Sequence, residues 1–209
     1  MRKKGSILLV LCAGVVALSA ACGPMPAPPT TTTTTVPVDC NAPAAAGVDW
    51  TGCDKTGADL TDANLTDAIL VGVDLSGVNL TAINLTGANL TRANLTGAAI
   101  GCVFSISTRC ANLANANLTG ANLTGALMWF ANLSNANLTD ANLTDANLIR
   151  ANLTDANLTN ANLTNVNLTN ADLRGANLTG ADLTNVLWSN TICPNSSVPS
   201  TECPRTAAG

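Results

Sequence analysis

Apolar residues recur at every fifth position through most of this 209-residue chain. Leucine or another large apolar residue holds this position, called the centre below, from residues 60 to 100 and from 113 to 188. Two positions earlier lies a small or branched apolar residue, such as Ala63 or Val73, and Asn or Asp usually lies between. Threonine follows 16 of the 25 centres. The repeated unit is therefore Ala-Asn-Leu-Thr followed by Gly, Asn or Asp.

A period of five fits neither an α-helix nor a long β-strand. In an extended segment the centre and the residue two before it point to one side, whereas the Asn and the Thr point to the other. Every unit can bury its apolar pair only if the chain turns the same way after each unit. The pattern therefore predicts short strands, bent at regular corners and stacked in coils, with Gly, Asn and Asp at the corners.

This motif resembles the pentapeptide-repeat family, and the resemblance covers residues 58–189, or about 25 units. It implies an all-β, right-handed quadrilateral parallel β-helix, a solenoid of about six coils. Val48, Asp49 and Trp50 fit the same frame and are interpreted as a capping unit, so the predicted β-helix spans 48–189. Low-complexity disorder is disfavoured because the apolar positions keep a strict period.

The frame breaks once, within residues 101–111. Thirteen residues lead from Ile100 to Leu113 where two units would use ten, so three extra residues are predicted to protrude. Cys102 and Cys110 bracket this bulge.

Large apolar residues occur one coil after the bulge, at positions that normally point outward. Leu127, Trp129 and Phe130 are predicted to lie on the same side as the bulge. In one interpretation they are covered by a small satellite core; in the other, they and Phe104 form a patch that binds a partner. The loop residues expected in the satellite core are Val103, Phe104 and Ile106.

The first 21 residues have the features of a secretion signal. Three basic residues precede the apolar run 7–18, which is too short for a standard membrane-spanning helix. Small residues before Cys22 resemble a bacterial lipoprotein signal, in which that cysteine is lipidated, although Ser19 stands where leucine is usual. Plain cleavage by signal peptidase also fits. Residues 22–47, rich in Pro and Thr, are interpreted as a lipid-anchored, disordered linker.

Cysteine spacing predicts three local disulfides. The chain has eight cysteines, of which one lies in the leader and Cys22 is assigned to the lipid. The predicted pairs are Cys40 with Cys53, Cys102 with Cys110, and Cys193 with Cys203. An exported chain lies in an oxidising compartment, and a rigid repeat body would hold the pairs apart. Free or metal-bound thiols are the alternative.

The two ends of a β-helix expose an apolar cross-section and unpaired backbone, so repeat proteins need caps. Trp188 is predicted to plug the C-terminal end of the β-helix. The third disulfide loop, which lies in a tail comprising residues 190–209, is predicted to cover it. Trp50 and the first disulfide loop are expected to cap the other end.

The composition excludes several kinds of chemistry. The chain has no His, and Glu202 is its single Glu, so neither a Ser-His-Asp nor a Cys-His catalytic pair can form. Aspartates stack only when they are twenty residues apart within the repeat, and only Asp54 and Asp74 meet that condition within the predicted β-helix of residues 48–189. The chain is therefore predicted to be no enzyme and to bind no cofactor or metal. Charged residues make up only 11%, so no nucleic acid is expected as a partner.

Outward polar residues are predicted to form columns in register. One column comprises Asn117, Asn137, Asn157 and Asn177, and the next comprises Thr119, Thr139, Thr159 and Thr179. These ladders either only stabilise the stack or present a flat hydrogen-bonding lattice to a repetitive partner, such as a glycan or ice. The lack of exposed rings disfavours glycan, and Asn in place of a second Thr rank disfavours ice.

Together these features predict a non-enzymatic scaffold or binding module at the cell envelope, with an Asn/Thr surface and an unknown protein or cell-wall polymer as partner. It is expected on the outer side of the bacterial cell membrane, attached by the lipid anchor only, or else secreted. The resemblance also implies an alternative, because some family members imitate DNA with an acidic, dimeric helix and bind gyrase. Export, Asn in place of Asp and low charge disfavour that alternative; the oligomeric state is left open.

Overall fold

Parallel coils, rather than long strands, make up the body of the protein. The computed structural model describes residues 37–103, 108–195, 199, 200 and 203. Successive coils pair through isolated parallel bridges between residues that lie twenty apart, as Asn117 and Asn137 do. Each coil therefore contains four units and has four sides. The predicted all-β, quadrilateral parallel β-helix is confirmed.

The four sides are named here by their bridged residues. Side A runs through Asp49, Ile69, Asn89, Asn117, Asn137, Asn157 and Asn177. Side B runs through Asp54, Asp74, Asn94, Asn122, Asn142, Asn162 and Asp182. Side C runs through Asp59, Asn79, Ala99, Leu127, Asn147, Asn167 and Leu187. Side D runs through Asn64, Asn84, Asn112, Asn132, Asn152, Asp172 and Ile192.

Each side has seven bridged residues, so the stack has seven coils, one more than the repeat count predicted. The additional coil arises at the ends, where the units lack leucine. Trp50 occupies the first centre and Cys193 occupies the last. Coils are numbered 1 to 7 below, in chain order.

The interior is a continuous apolar column. Every centre from Leu65 to Leu173 is fully buried, and the alanines two residues earlier are equally inaccessible in most coils. Burying one leucine side chain stabilises a fold by about 2 kcal/mol. A methyl group beside each leucine fills the narrow space between neighbouring sides, which explains why alanine dominates that position.

Each corner is a β-turn with a left-handed residue. In one example, the Ala68 amide donates to the Leu65 carbonyl at 3.1 Å, and Asp67 between them has a φ of 54°. Gly, Asn and Asp tolerate this conformation best, and the described corners follow that rule with four exceptions. The exceptions are Ala82, Arg92, Phe130 and Arg150.

Outside the coils, Asn and Thr side chains satisfy one another. The Asn137 Oδ1 accepts hydrogen bonds from the Thr139 amide at 3.2 Å and from its hydroxyl at 2.6 Å. The Asn137 Nδ2 donates to the Thr119 hydroxyl of the preceding coil at 3.0 Å. The same contacts recur at Asn157, so the ladder joins successive coils and also satisfies a corner amide in each.

Short antiparallel pairs occur only where the described chain leaves the coils. They are β1 (Cys102–Val103) with β2 (Arg109–Cys110), and β3 (Thr191–Ile192) with β4 (Pro199–Ser200). The three disulfides join the cysteine pairs that the spacing predicted.

The N-terminal cap is confirmed and includes a residue that the sequence analysis missed. Trp50 is 1% exposed, and its Nε1 donates to the Ala42 carbonyl at 3.1 Å. Lys55 occupies the next centre, where leucine is usual. Its Nζ lies 3.7 Å from the centroid of the Trp50 ring and donates to the Cys40 carbonyl at 2.6 Å. Lys55 and the disulfide thus hold the capping segment over the first coil.

The C-terminal end also has its predicted plug. Trp188 is buried, and Cys193 and Cys203 are buried members of the same apolar core. Thr191 is fully buried, and its hydroxyl donates to the Leu168 carbonyl at 2.7 Å.

The predicted signal peptide, Cys22 and most of the linker lie outside the described residues. Within the described part, the chain contains no helix with the length and hydrophobicity needed to span a bilayer.

We expect Asn137→Ala to lower the free energy of unfolding by about 2 kcal/mol, because it removes ladder bonds in two directions. Asn147→Ala is the matched control, since its Oδ1 accepts only the Ile149 amide; its loss should be about 1 kcal/mol or less. Urea unfolding measures both. Equal losses would contradict a stabilising role for the inter-coil bond.

Candidate interaction surface

The break in the repeat is a loop at the corner between sides C and D of coil 3. Asn84 bridges Asn112, which lies 28 residues later rather than twenty, so eight residues are inserted. The prediction of three extra residues is wrong, because no unit forms between Ile100 and Leu113. Leu113 is instead the next centre after Ile100.

Several contacts brace the base of this loop. The Ala111 amide donates to the Gly101 carbonyl at 3.0 Å, and the disulfide between Cys102 and Cys110 joins β1 to β2. Arg109 forms an ion pair with Asp62 of coil 1 at 2.6 Å. The pair is solvent-exposed, so it orients the loop more than it stabilises the fold.

Three predicted patch residues lie together on side C of coil 4. Leu127 bridges Ala99 and is 44% exposed. Trp129 and Phe130 are half-buried and meet edge to face, with ring centroids 6.4 Å apart.

The Trp129 ring covers Gly101 in the coil before it. A Cβ at Gly101 would lie 2.8 Å from the ring, so only glycine permits this contact. The loop base and the patch therefore lie on one side, as predicted. Phe104 and Ile106, which the satellite-core interpretation needs, lie outside the described residues.

The patch extends to two residues that the sequence analysis did not single out. Ile149 and Arg150 lie on coil 5, twenty residues after Trp129 and Phe130. The Arg150 guanidinium carbon lies 5.2 Å from the centroid of the Phe130 ring. Their signal was present in the sequence, because isoleucine and arginine replace the usual Thr and corner residue. The name side C patch is used below for Leu127, Trp129, Phe130, Ile149 and Arg150.

The predicted Asn/Thr lattice lies on side A of coils 4 to 7. The Thr119 hydroxyl donates to Asn117 at 2.6 Å and accepts from Asn137 at 3.0 Å. Because both partners of the Thr119, Thr139 and Thr159 hydroxyls come from the protein itself, this geometry favours a stabilising ladder over a surface poised to bind.

Carboxylates are scattered over the stack. Asp54 and Asp74 bridge each other, as the spacing predicted, and they are the only aspartates joined in this way among the described residues. The Thr56 hydroxyl lowers the pKa of Asp54, and the charge of Asp74 partly opposes that effect. The described residues contain no group of three side chains suited to hold a metal ion.

Hydrogen bonds lower the pKa of four carboxyl groups in the folded protein. The donors are the Thr51 hydroxyl to Asp49, the Thr56 hydroxyl to Asp54, the Ser76 amide to Asp74, and the Arg174 side chain to Asp172. In the unfolded chain these groups would titrate near their ordinary pKa of 3.8.

We therefore expect stability to be constant above about pH 5 and to fall as the pH drops through the lowered pKa values. The unfolded chain takes up protons first, and that uptake favours unfolding. Thermal unfolding at a series of pH values measures the effect. Asp172→Asn should weaken the dependence, whereas an unchanged midpoint down to pH 2 would contradict the expectation.

Comparison with known proteins identifies the family to which the repeat belongs. The family model for pentapeptide repeats matches residues 45–77, 74–100, 111–148 and 151–187 in eight copies. No curated protein matches the chain.

Several solved structures are similar to this chain. HetL, a pentapeptide repeat protein involved in heterocyst differentiation regulation in the cyanobacterium Nostoc, is 34% identical; the match covers 73% of this chain and 70% of HetL, with a TM-score of 0.34. Rfr23 from the cyanobacterium Cyanothece is 31% identical over 67% of this chain and 90% of its own, with a TM-score of 0.48. QnrB1, a plasmid-mediated fluoroquinolone resistance protein, is 18% identical over 68% of this chain and 81% of its own, with a TM-score of 0.39.

The matched repeats span more than half of the chain and coincide with the coils. The protein is a member of the pentapeptide-repeat family, with the right-handed quadrilateral β-helix of that family.

Proposed function

We propose that the protein is a non-enzymatic binding module at the cell envelope. A lipid on Cys22 holds it at the outer side of the bacterial cell membrane, and the side C patch binds another protein. The observation that carries this proposal is the concentration of departures from the repeat on one side of the β-helix.

On the other three sides the polar ladder has only isolated interruptions. On side C it is replaced over three consecutive coils, where Ala99 and Leu127 take the Asn position and Trp129 and Ile149 take the Thr position. Each replacement gives up hydrogen bonds that stabilise the neighbouring sides by about 1 kcal/mol apiece. Residues that cost stability and expose apolar surface are typical of a binding site.

Unusual corner residues also concentrate on side C. Ala82, Phe130 and Arg150, three of the four described corners that are not Gly, Asn or Asp, follow side C units. A left-handed residue with a larger side chain is strained by about 1 kcal/mol. Function at this surface would explain why the strain is retained.

The chemistry of the chain supports binding rather than catalysis. It has no His, and its carboxylates are dispersed over the described coils. The partner is therefore expected to be recognised by shape, apolar contact and charge.

We expect a variant that restores the repeat to lose binding while keeping its fold. Leu127→Asn, Trp129→Thr, Phe130→Asn and Ile149→Thr together rebuild the Asn-Leu-Thr ladder, so stability should be unchanged or higher. Chemical cross-linking of the tagged full-length chain in cells, followed by mass spectrometry, measures its partners. Thr139→Lys on side A is the control and should retain them. Partners retained by the restored variant and lost with Thr139→Lys would assign binding to the lattice instead.

The anchor is tested separately. We expect Cys22→Ser to move the protein from the detergent phase to the aqueous phase of a detergent phase separation, because the lipid would be its only attachment. Cys12→Ser is the matched control and should leave the protein in the detergent phase. An aqueous wild-type protein would contradict the anchor and favour secretion.

A further inference from the structure

We propose that the segment bound by the side C patch is acidic, and that Arg150 selects it. This inference rests on the proposed function of the patch. It adds the chemistry of the partner: a short protein segment with a carboxylate beside an apolar side chain.

Arg150 is an exposed cation with no carboxylate partner in the described part of the chain. Two other arginines are paired at 2.6 Å, Arg109 with Asp62 and Arg174 with Asp172. Arg150 instead lies against Phe130, with a φ of 59° at its corner. The ring contact positions the guanidinium and leaves its donors available for a carboxylate.

The charge around Arg150 also favours an anion. From coil 2 to coil 7, the units of side C contain one charged residue, Arg150. Sides B and D carry carboxylates over the same coils, including Asp74, Asp145 and Asp155. Side C thus carries a single positive charge over these coils, on a chain whose net charge is −4, and that charge would attract an acidic segment.

The apolar neighbours indicate what must accompany the carboxylate. Leu127 and Ile149 lie on adjacent coils, about 5 Å apart along the axis, and Trp129 lies beside them. An apolar side chain seated there would exclude water from an ion pair with Arg150, which strengthens the pair.

The size of the patch points to a single segment. It extends over two coils, far less than the surface a stable dimer buries.

The test uses the mature full-length protein and labelled peptides of about twelve residues. One peptide alternates Asp with Leu and Phe, and the other two carry Asn or Lys in place of Asp. Fluorescence polarisation should show the Asp peptide binding at least about tenfold more tightly than the Asn peptide. Equal binding of the two would overturn the inference.

Reversing the charge of residue 150 distinguishes a change in peptide selectivity from a loss of the fold. Arg150→Glu should weaken binding of the Asp peptide by about tenfold or more and improve binding of the Lys peptide, a gain that misfolding cannot produce. Arg92→Glu is the matched control, because Arg92 is also an exposed corner residue, with a φ of 57° on side A. An equal effect of both substitutions would overturn the role of Arg150.

The two proposals fail in different ways. If all peptides bind equally and binding is lost in the restored-repeat variant, the patch binds proteins but Arg150 does not select acid. In a second outcome no peptide binds, but the protein binds phosphatidylglycerol vesicles, isolated cell-wall sacculi or a second copy of the chain, and that binding depends on Arg150. This outcome would exclude the acidic segment and also a protein partner of the proposed kind.

Discussion

Backbone pairing between successive coils is the constraint on which the rest of this structure depends. A coil can pair with the next only if both have the same perimeter, so the bridges repeat at twenty residues throughout, except where a loop leaves the stack. A constant perimeter leaves a constant, narrow interior. Leucine and alanine fill that interior, and the larger aromatic residues that the structure describes lie at the ends or on the outer surface.

The same constraint explains the polar exterior. Stacking brings identical positions of successive coils close together, where like charges would repel. Asparagine and threonine avoid that repulsion, because each can donate to one neighbour and accept from another. The ladder therefore stabilises the stack and at the same time uses up the polar groups that a binding lattice would need. A surface built in this way is a poor candidate for recognition wherever the ladder is complete.

Side C is the exception, and its composition is explained by position. Gly101 has no side chain, so the Trp129 ring can pack against its backbone, and the Phe130 ring contacts Arg150 on the following coil. These contacts turn three interrupted units into one surface with both apolar and cationic groups. The rigid β-helix holds the groups in place without a moving part, which suits a binding module.

The period of five by itself determined that the chain forms short strands bent at corners and stacked in coils, because only a chain that turns after every unit buries each apolar pair. The four-sided, right-handed coil was implied by the resemblance to the pentapeptide-repeat family. Cysteine spacing predicted the local disulfides, and the positions where the period ends predicted both capping tryptophans. Tertiary structure alone decided the register across the loop: eight inserted residues and three have the same local appearance, and only the pairing of Asn84 with Asn112 distinguishes them. It also revealed Lys55 over Trp50 and Arg150 over Phe130, because both contacts depend on side-chain direction in three dimensions.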